Sequence, residues 1–414
     1  MLILVLVGLV YIVQQYVTLG HLPRPFNSDP SQSLMDFYNT AYWSHRPGAY
    51  EIWHTVYPPL SFLFAQIVTN DACYVGTAYD ARTCDPAGAG FIMGFYLLNT
   101  VLVFLSLRRS RAAAVPRTLA LCLGLPMLYG LELANLIIPC FTLYVLAEGG
   151  LLKSRWARHL FRGLAFNFKL YLLVVALPSA LQRRVGWLIV AGVTCLTIYL
   201  VTLVVYRSGT PWDIFTDLVL YSRDQSKLYF EQNHLAEIAS KSNDIWNRTL
   251  PAILRLGEAI ALTGLASGLI LKDAVSRRRL TALALTTICA EAAIHTQGFS
   301  ADYTQIFLIF LIFREREWSI TSSIVIVMAY LLCVTADIAL VDAYREFKMS
   351  FLSGRLVEVE FGLTASQFVR PLLIVMIQMG LTGMLWRKVI DNSNRPARRY
   401  ATSFAWIGRP RRRD

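Results

Sequence analysis

Charge is scarce in this sequence. Asp, Glu, Lys and Arg make up only 16% of its 414 residues, against roughly a quarter in water-soluble chains. Hydrophobic residues make up 55%, and mean hydropathy is +0.47. An ordinary soluble domain is therefore excluded. Histidine is also scarce, with six residues and no pair at metal-ligand spacing, so the sequence offers no metal site. It has no P-loop, no GxGxxG after a strand and no GxSxG, which argues against nucleotide-dependent enzymes and serine hydrolases of those patterns. No repeat, heptad or low-complexity tract stands out, so the chain reads as a single domain over 1–414.

What the chain does have is long apolar runs. Several approach or exceed the ~18–20 residues that a helix needs to cross hydrocarbon, among them 187–206, 319–341 and 366–386. The expected fold class is an all-α polytopic membrane protein. The first run, LILVLVGLVYIVQQYVTLG, lacks a basic lead and a small-residue cleavage site, so it is read as a span and not as a signal peptide. Spans are then expected near 91–107, 118–133, 135–152, 187–206, 251–271, 280–298, 303–313, 319–341 and 366–386, about ten with the first. Segment 162–181 has arginines on both flanks, Lys169 near its middle and Pro178 near its end. It is expected to be re-entrant, since irregular backbone at membrane depth needs protein or water to cover it.

A net charge of +12 raises nucleic acid as a partner, but its distribution speaks against one. Basic residues crowd the short links, as at Arg108, Arg109, Arg111 and Arg117, at Lys153 to Arg162, and at Arg277 to Arg279. They recur in a basic tail over 387–414, a feature suited to anionic headgroups. Loop 20–90 is richer in acids, with Asp29, Asp36, Glu51, Asp71, Asp80 and Asp85. This asymmetry predicts cytoplasmic termini and external loops at 20–90, about 207–250, and 342–365. Of seven cysteines, only Cys73 and Cys84 fall in an external loop. They read either as a disulfide formed in an oxidising compartment or as two free thiols.

Candidate chemistry concentrates in loop 20–90. MDFYNTAYW follows the turn-rich NSDPSQS and is predicted to start a short helix. Its aromatics Phe37, Tyr38, Tyr42 and Trp43 suit the membrane interface. Asp36 reads as a helix cap or as a catalytic carboxylate, and Asp29 before Pro30 as a turn residue. YPPL, from Tyr57 to Leu60, is predicted to start a second interfacial or re-entrant helix. Lys169 within an apolar segment is costly; it reads as a phosphate ligand or as the partner of Glu132 or Glu148. Glu132 and Asn135 share a helix face, either lining a cavity or bonding between helices. His295, Gln297, Asp302 and Tyr303 form a polar break that is either a turn or part of a site. Within the external loop, segment 225–249 reads as an amphipathic helix, either offering Asn233 and His234 to an acceptor groove or covering the domain. Asn247 opens a glycosylation sequon.

Taken in order, these segments resemble the GT-C superfamily of integral-membrane glycosyltransferases, most closely glycosyltransferase family 87, which includes polyprenol-phosphate-mannose-dependent mannosyltransferases. The resemblance rests on Asp36-Phe37-Tyr38, then Tyr57 to Leu60, then Gly130 to Asn135. Asn167-Phe168-Lys169-Leu170-Tyr171 and Ser300-Ala301-Asp302-Tyr303 complete it. Two departures stand out: Leu170 replaces the family's proline, and its late histidine is missing unless His295 serves. The resemblance implies inverting, metal-independent transfer of one sugar, mannose first, with no cofactor. The donor would be a polyprenyl-phosphate sugar and the acceptor a glycolipid or polysaccharide, on the outer face of a bacterial plasma membrane. Asp36 would be the base, Lys169, His295 and Tyr171 would hold the donor phosphate, and Tyr57, Glu132, Asn135, Gln297, Asp302, Tyr303, Asn233 and His234 would line the cavity. The competing reading is a transporter or flippase of a lipid-linked saccharide.

Overall fold

The computed structural model describes residues 1–26, 29–108, 113–210, 212–217, 219–220, 249–295, 303–316 and 319–407. The chain begins with α1 (Leu2–Leu19), and the loop after it carries α2 (Met35–Ser44), α3 (Pro59–Val68) and α4 (Ala78–Cys84). Then come α5 (Pro86–Leu107), α6 (Ala114–Cys122), α7 (Leu125–Glu132), α8 (Ile137–Glu148) and α9 (Arg155–Phe166). A 3-10 stretch, Leu170–Ala176, leads into α10 (Leu177–Leu181) and α11 (Val185–Tyr206). The described chain resumes at α12 (Leu250–Ala266), α13 (Ala274–His295), α14 (Gln305–Phe313) and α15 (Ile320–Leu332). An antiparallel hairpin of β1 (Ala339–Met349) and β2 (Leu356–Thr364) precedes the long α16 (Ser366–Ile407).

Among the described residues, six helices are long and apolar enough to cross a membrane: Leu2–Leu19, Pro86–Leu107, Ala114–Glu132, Val185–Tyr206, Leu250–Leu269 and Ser366–Asn394. Three of them, α1, α5 and α11, present rows of exposed aliphatic side chains such as Val10, Val101 and Val204. Water would penalise such faces, whereas lipid does not. The protein is therefore a helical membrane protein. α8 and α14 are buried on nearly every side, as expected of helices that are apolar all round. Tyr144 and Phe141 of α8 pack edge-on against Phe307 and Phe310 of α14.

Most of expected span 280–298 lies in the unbroken α13, of 22 residues, whereas other expected spans are interrupted or shorter than read. The run 118–133 bends between α6 and α7, where Leu125 N–H leaves the helix ladder and donates to the Cys333 carbonyl at 3.0 Å. The expected span 319–341 stops at Leu332. The buried Arg370 guanidinium takes the carbonyls of Leu332 and Val334, satisfying the last turn and releasing the chain into the hairpin. That hairpin fills the expected loop 342–365 and had no counterpart in the sequence reading. α14 spans 9 residues, roughly 14 Å of helix, too short to cross alone. Segment 162–181 is irregular, as expected: α9 ends at Phe166 and no α-helix resumes until Leu177.

Candidate functional site

The site is built where α2, α3, the α7–α8 turn and the end of α9 converge. Leu34 occupies the left-handed region (φ 67°), a conformation that costs a non-glycine residue about 1–3 kcal/mol. Its N–H donates to the Glu132 carbonyl at 2.8 Å, so the start of α2 is pinned to the end of α7. Ala134, also left-handed at φ 50°, turns the chain toward α8 and delivers Asn135. Strained non-glycine residues therefore flank both halves of the next contact.

That contact joins Asn135 Nδ2, the donor, to Asp36 Oδ2 at 2.6 Å. Asn135 is fully buried, and its Oδ1 accepts the Ile137 N–H at 2.8 Å, which fixes the amide. Asp36 lies in the first turn of α2, where the helix dipole favours a carboxylate, yet it caps nothing. Asp29 caps the preceding 3-10 turn, Pro30–Gln32, its Oδ1 accepting the Ser31 N–H at 3.0 Å. Protein atoms crowd Asp36 although one edge stays accessible. This burial raises its carboxyl above the usual range; the Asn135 bond and the charge of Lys169 pull partly the other way.

Lys169 approaches from the other side. Its N–H still bonds Ala165 at the end of α9, while its side chain, 8% exposed, turns toward α3. Nζ donates to the Tyr57 hydroxyl at 3.3 Å and stands 4.4 Å above that ring and 5.7 Å from the Tyr303 ring. Cation–π contacts of this kind stabilise a desolvated ammonium by up to ~2 kcal/mol. The pairing with Glu148 does not form, because Glu148 accepts from Arg162 at 2.7 Å. Among the described residues no carboxylate forms an ion pair with Lys169, and the one that acts on it through space is Asp36.

Tyrosines complete the enclosure. The Tyr57 carbonyl accepts from the Tyr50 hydroxyl at 2.9 Å, and the Tyr57 hydroxyl lies within reach of Thr40 and Asn135. Tyr303 stacks on Tyr129 with centroids 6.0 Å apart, and Tyr171 is its electrostatic neighbour. The structure thus brings together Asp36, Tyr57, Asn135, Lys169, Tyr171 and Tyr303, with Glu132 contributing its backbone. Asn233, His234, Asn247, Gln297 and Asp302 lie outside the described residues. His295 ends α13, and its side chain lies outside them too.

Some readings of the loop need correction. Phe37 and Tyr38 are fully buried and belong to the protein core, not to the membrane interface. Phe37 fills the space that Gly88 of α5 leaves, since a Cβ there would fall 2.2 Å from its ring. Cys73 and Cys84 are joined as a disulfide. Beside it stands a residue the sequence did not single out. Arg82, on α4, donates to the carbonyls of Ser31 at 2.7 Å and Ser33 at 2.6 Å and stacks 3.7 Å over Phe351 of the hairpin. It thereby clamps the chain that leads into Asp36. Its only signal was a basic residue in a loop richer in acids.

Chemically, a carboxylate and an ammonium share one enclosure without neutralising each other. Such a pair suits a reaction in which a proton leaves toward Asp36 while negative charge develops near Lys169. No family model, curated protein or solved structure matches this chain.

Proposed function

We propose that this protein is a membrane glycosyltransferase that moves one sugar from a polyprenyl-phosphate donor to a hydroxyl of a glycolipid or glycan acceptor, with inversion. The observation that carries the reading is the convergence of Asp36 and Lys169 around Tyr57 and Asn135 with no ion pair between them. The acceptor hydroxyl attacks the anomeric carbon and gives its proton to Asp36 as the carbon–oxygen bond to phosphate breaks. Polyprenyl phosphate leaves, its charge met by Lys169. A positioned base contributes ~10²–10⁴-fold, and cations aimed at developing charge are often the larger contribution. Burial that raises the Asp36 carboxyl makes it a stronger base than a surface aspartate. In this reading, loop 20–90 faces the extracytoplasmic side and the arginine-rich links face the cytosol.

The test is Asp36→Asn, which keeps the size of the side chain and the possibility of bonding to Asn135. The variant is expected to fold and to retain donor, while transfer falls ~10²–10⁴-fold in an assay of purified protein with radiolabelled donor. Transfer near the wild-type rate removes Asp36 as the base. Movement of lipid-linked sugar across vesicles, undiminished in this variant, favours a flippase.

A further inference from the structure

A second concentration of charge lies at the other end of α8, remote in sequence from Asp36. Glu148, the last residue of α8, accepts the Arg162 guanidinium, and Arg314 donates to its backbone carbonyl. Arg278 in turn donates to the Arg314 carbonyl at 3.4 Å. Arg158 bears on Glu148 electrostatically, while Arg277 feels both Arg184 and Arg162. Four chain segments thus deliver guanidinium groups to one basin. Among the described residues, the other acids at this end have cationic partners of their own, Glu315 in Arg279 and Asp273 in Lys388, and Asp273 also bears on Arg277.

The basin is half-buried, so water does not fully solvate its charge. Arg158 Nε is buried and has no hydrogen-bond partner among the described residues. Half-buried like charges repel unless an anion joins them. The rim of the basin is apolar. α9 alternates its arginines with Trp156, 61% exposed, and Leu160, 48% exposed. Below it, Val185 and Ile189 of α11 are exposed at 61% and 59%, continuing as a lipid-facing stripe. A basic, Trp-bearing amphipathic helix above such a stripe has the form of an interfacial segment.

We infer that this basin seats the anionic headgroup of a membrane phospholipid, its phosphate among Arg158, Arg184, Arg277 and Arg278 and its acyl chains along Val185 and Ile189. Charge complementarity selects the headgroup, and the apolar stripe selects a lipid over a free anion. Basic recesses between membrane helices are known to bind such headgroups. The inference needs only the membrane assignment and stands apart from the transfer reaction.

The experiment is native mass spectrometry of delipidated, detergent-solubilised full-length protein titrated with phosphatidylglycerol or phosphatidylcholine. Wild type is expected to retain phosphatidylglycerol in preference, and millimolar inorganic phosphate is expected not to displace it. Each arginine removed should weaken retention about fivefold, as for a cation near an anionic surface, so Arg158→Gln/Arg277→Gln should lose about twenty-five-fold. Arg345→Gln, on the hairpin and paired with Glu360, should leave retention unchanged. Equal retention of the two lipids by wild type overturns the inference, whether or not the variants fold. Displacement by inorganic phosphate overturns the lipid as the source of the anion.

Discussion

Burial raises the Asp36 carboxyl, and Asn135 holds that rise in check. Its amide bonds the charged carboxylate and so lowers the pKa that burial raises. Removing it stabilises the neutral acid relative to the carboxylate, so the pKa climbs further. For a base that must be ionised to act, Asn135→Ala is expected to move the acid limb of the kcat/KM profile to higher pH. A limb that stays or moves down would separate Asn135 from the base. Lys169→Ala removes a favourable charge and is expected to shift that limb the same way. It should also cut donor kcat/KM by roughly 10²-fold, and an unchanged donor kcat/KM would return Lys169 to a structural role. At this scale the sequence was legible wherever a polar residue stood out against apolar surroundings. Lys169 did, because charge within an apolar segment is costly; Asp36 was marked instead by its aromatic neighbours in a polar loop, and Asn135 by its spacing from Glu132. Arg82 was not legible: its carbonyl partners at Ser31 and Ser33 exist only once the loop has folded.

At the scale of elements, α2 is seated by shape against α5, and a disulfide closes the chain between α3 and α5. Gly88→Ala places a methyl group against the Phe37 ring, and overpacking of this kind typically costs 1–3 kcal/mol. The expected outcome is a lower melting temperature and weaker transfer, since α2 must shift and carries Asp36 with it. Full activity in that variant would show that the site tolerates displacement of its helix. Reduction of Cys73–Cys84, whose sequence separation is 11, is expected to cost about 2–3 kcal/mol in the chain-entropy picture, read from thermal unfolding with and without reductant. The short helices at Met35 and Pro59 could be anticipated from turn residues and Pro at a first turn. The aromatic face of α2 could not, because a Phe or Tyr beside charged residues fits an interface or a core equally well. The hairpin was missed for a related reason. Its strands follow closely on an apolar run, and Arg370, drawing in the carbonyls of Leu332 and Val334, meets the helix end from a distant part of the chain.

For the whole molecule, α1, α5 and α11 carry the exposed apolar faces while α8 and α14 form buried core, with the Asp36 site where those core helices begin and the arginine basin where they end. Long apolar runs announced the first group. The core helices were read as spans because composition does not distinguish an apolar helix facing lipid from one facing protein. The charge asymmetry predicts a sidedness that labelling tests. A cysteine replacing exposed Arg355 on the hairpin turn is expected to react with a membrane-impermeant maleimide in intact cells. One replacing Gly186, beside Arg184 and with open space around it, is expected to react only after permeabilisation. The reverse pattern would invert the topology. The most direct measurement of the proposed chemistry is turnover of polyprenyl-phosphate sugars by the purified protein, counting lipid phosphate released per sugar transferred. One donor of a panel is expected to give equal amounts of both products, with neither formed by Asp36→Asn. Intact donor throughout the panel, or turnover that survives loss of that carboxylate, would contradict it.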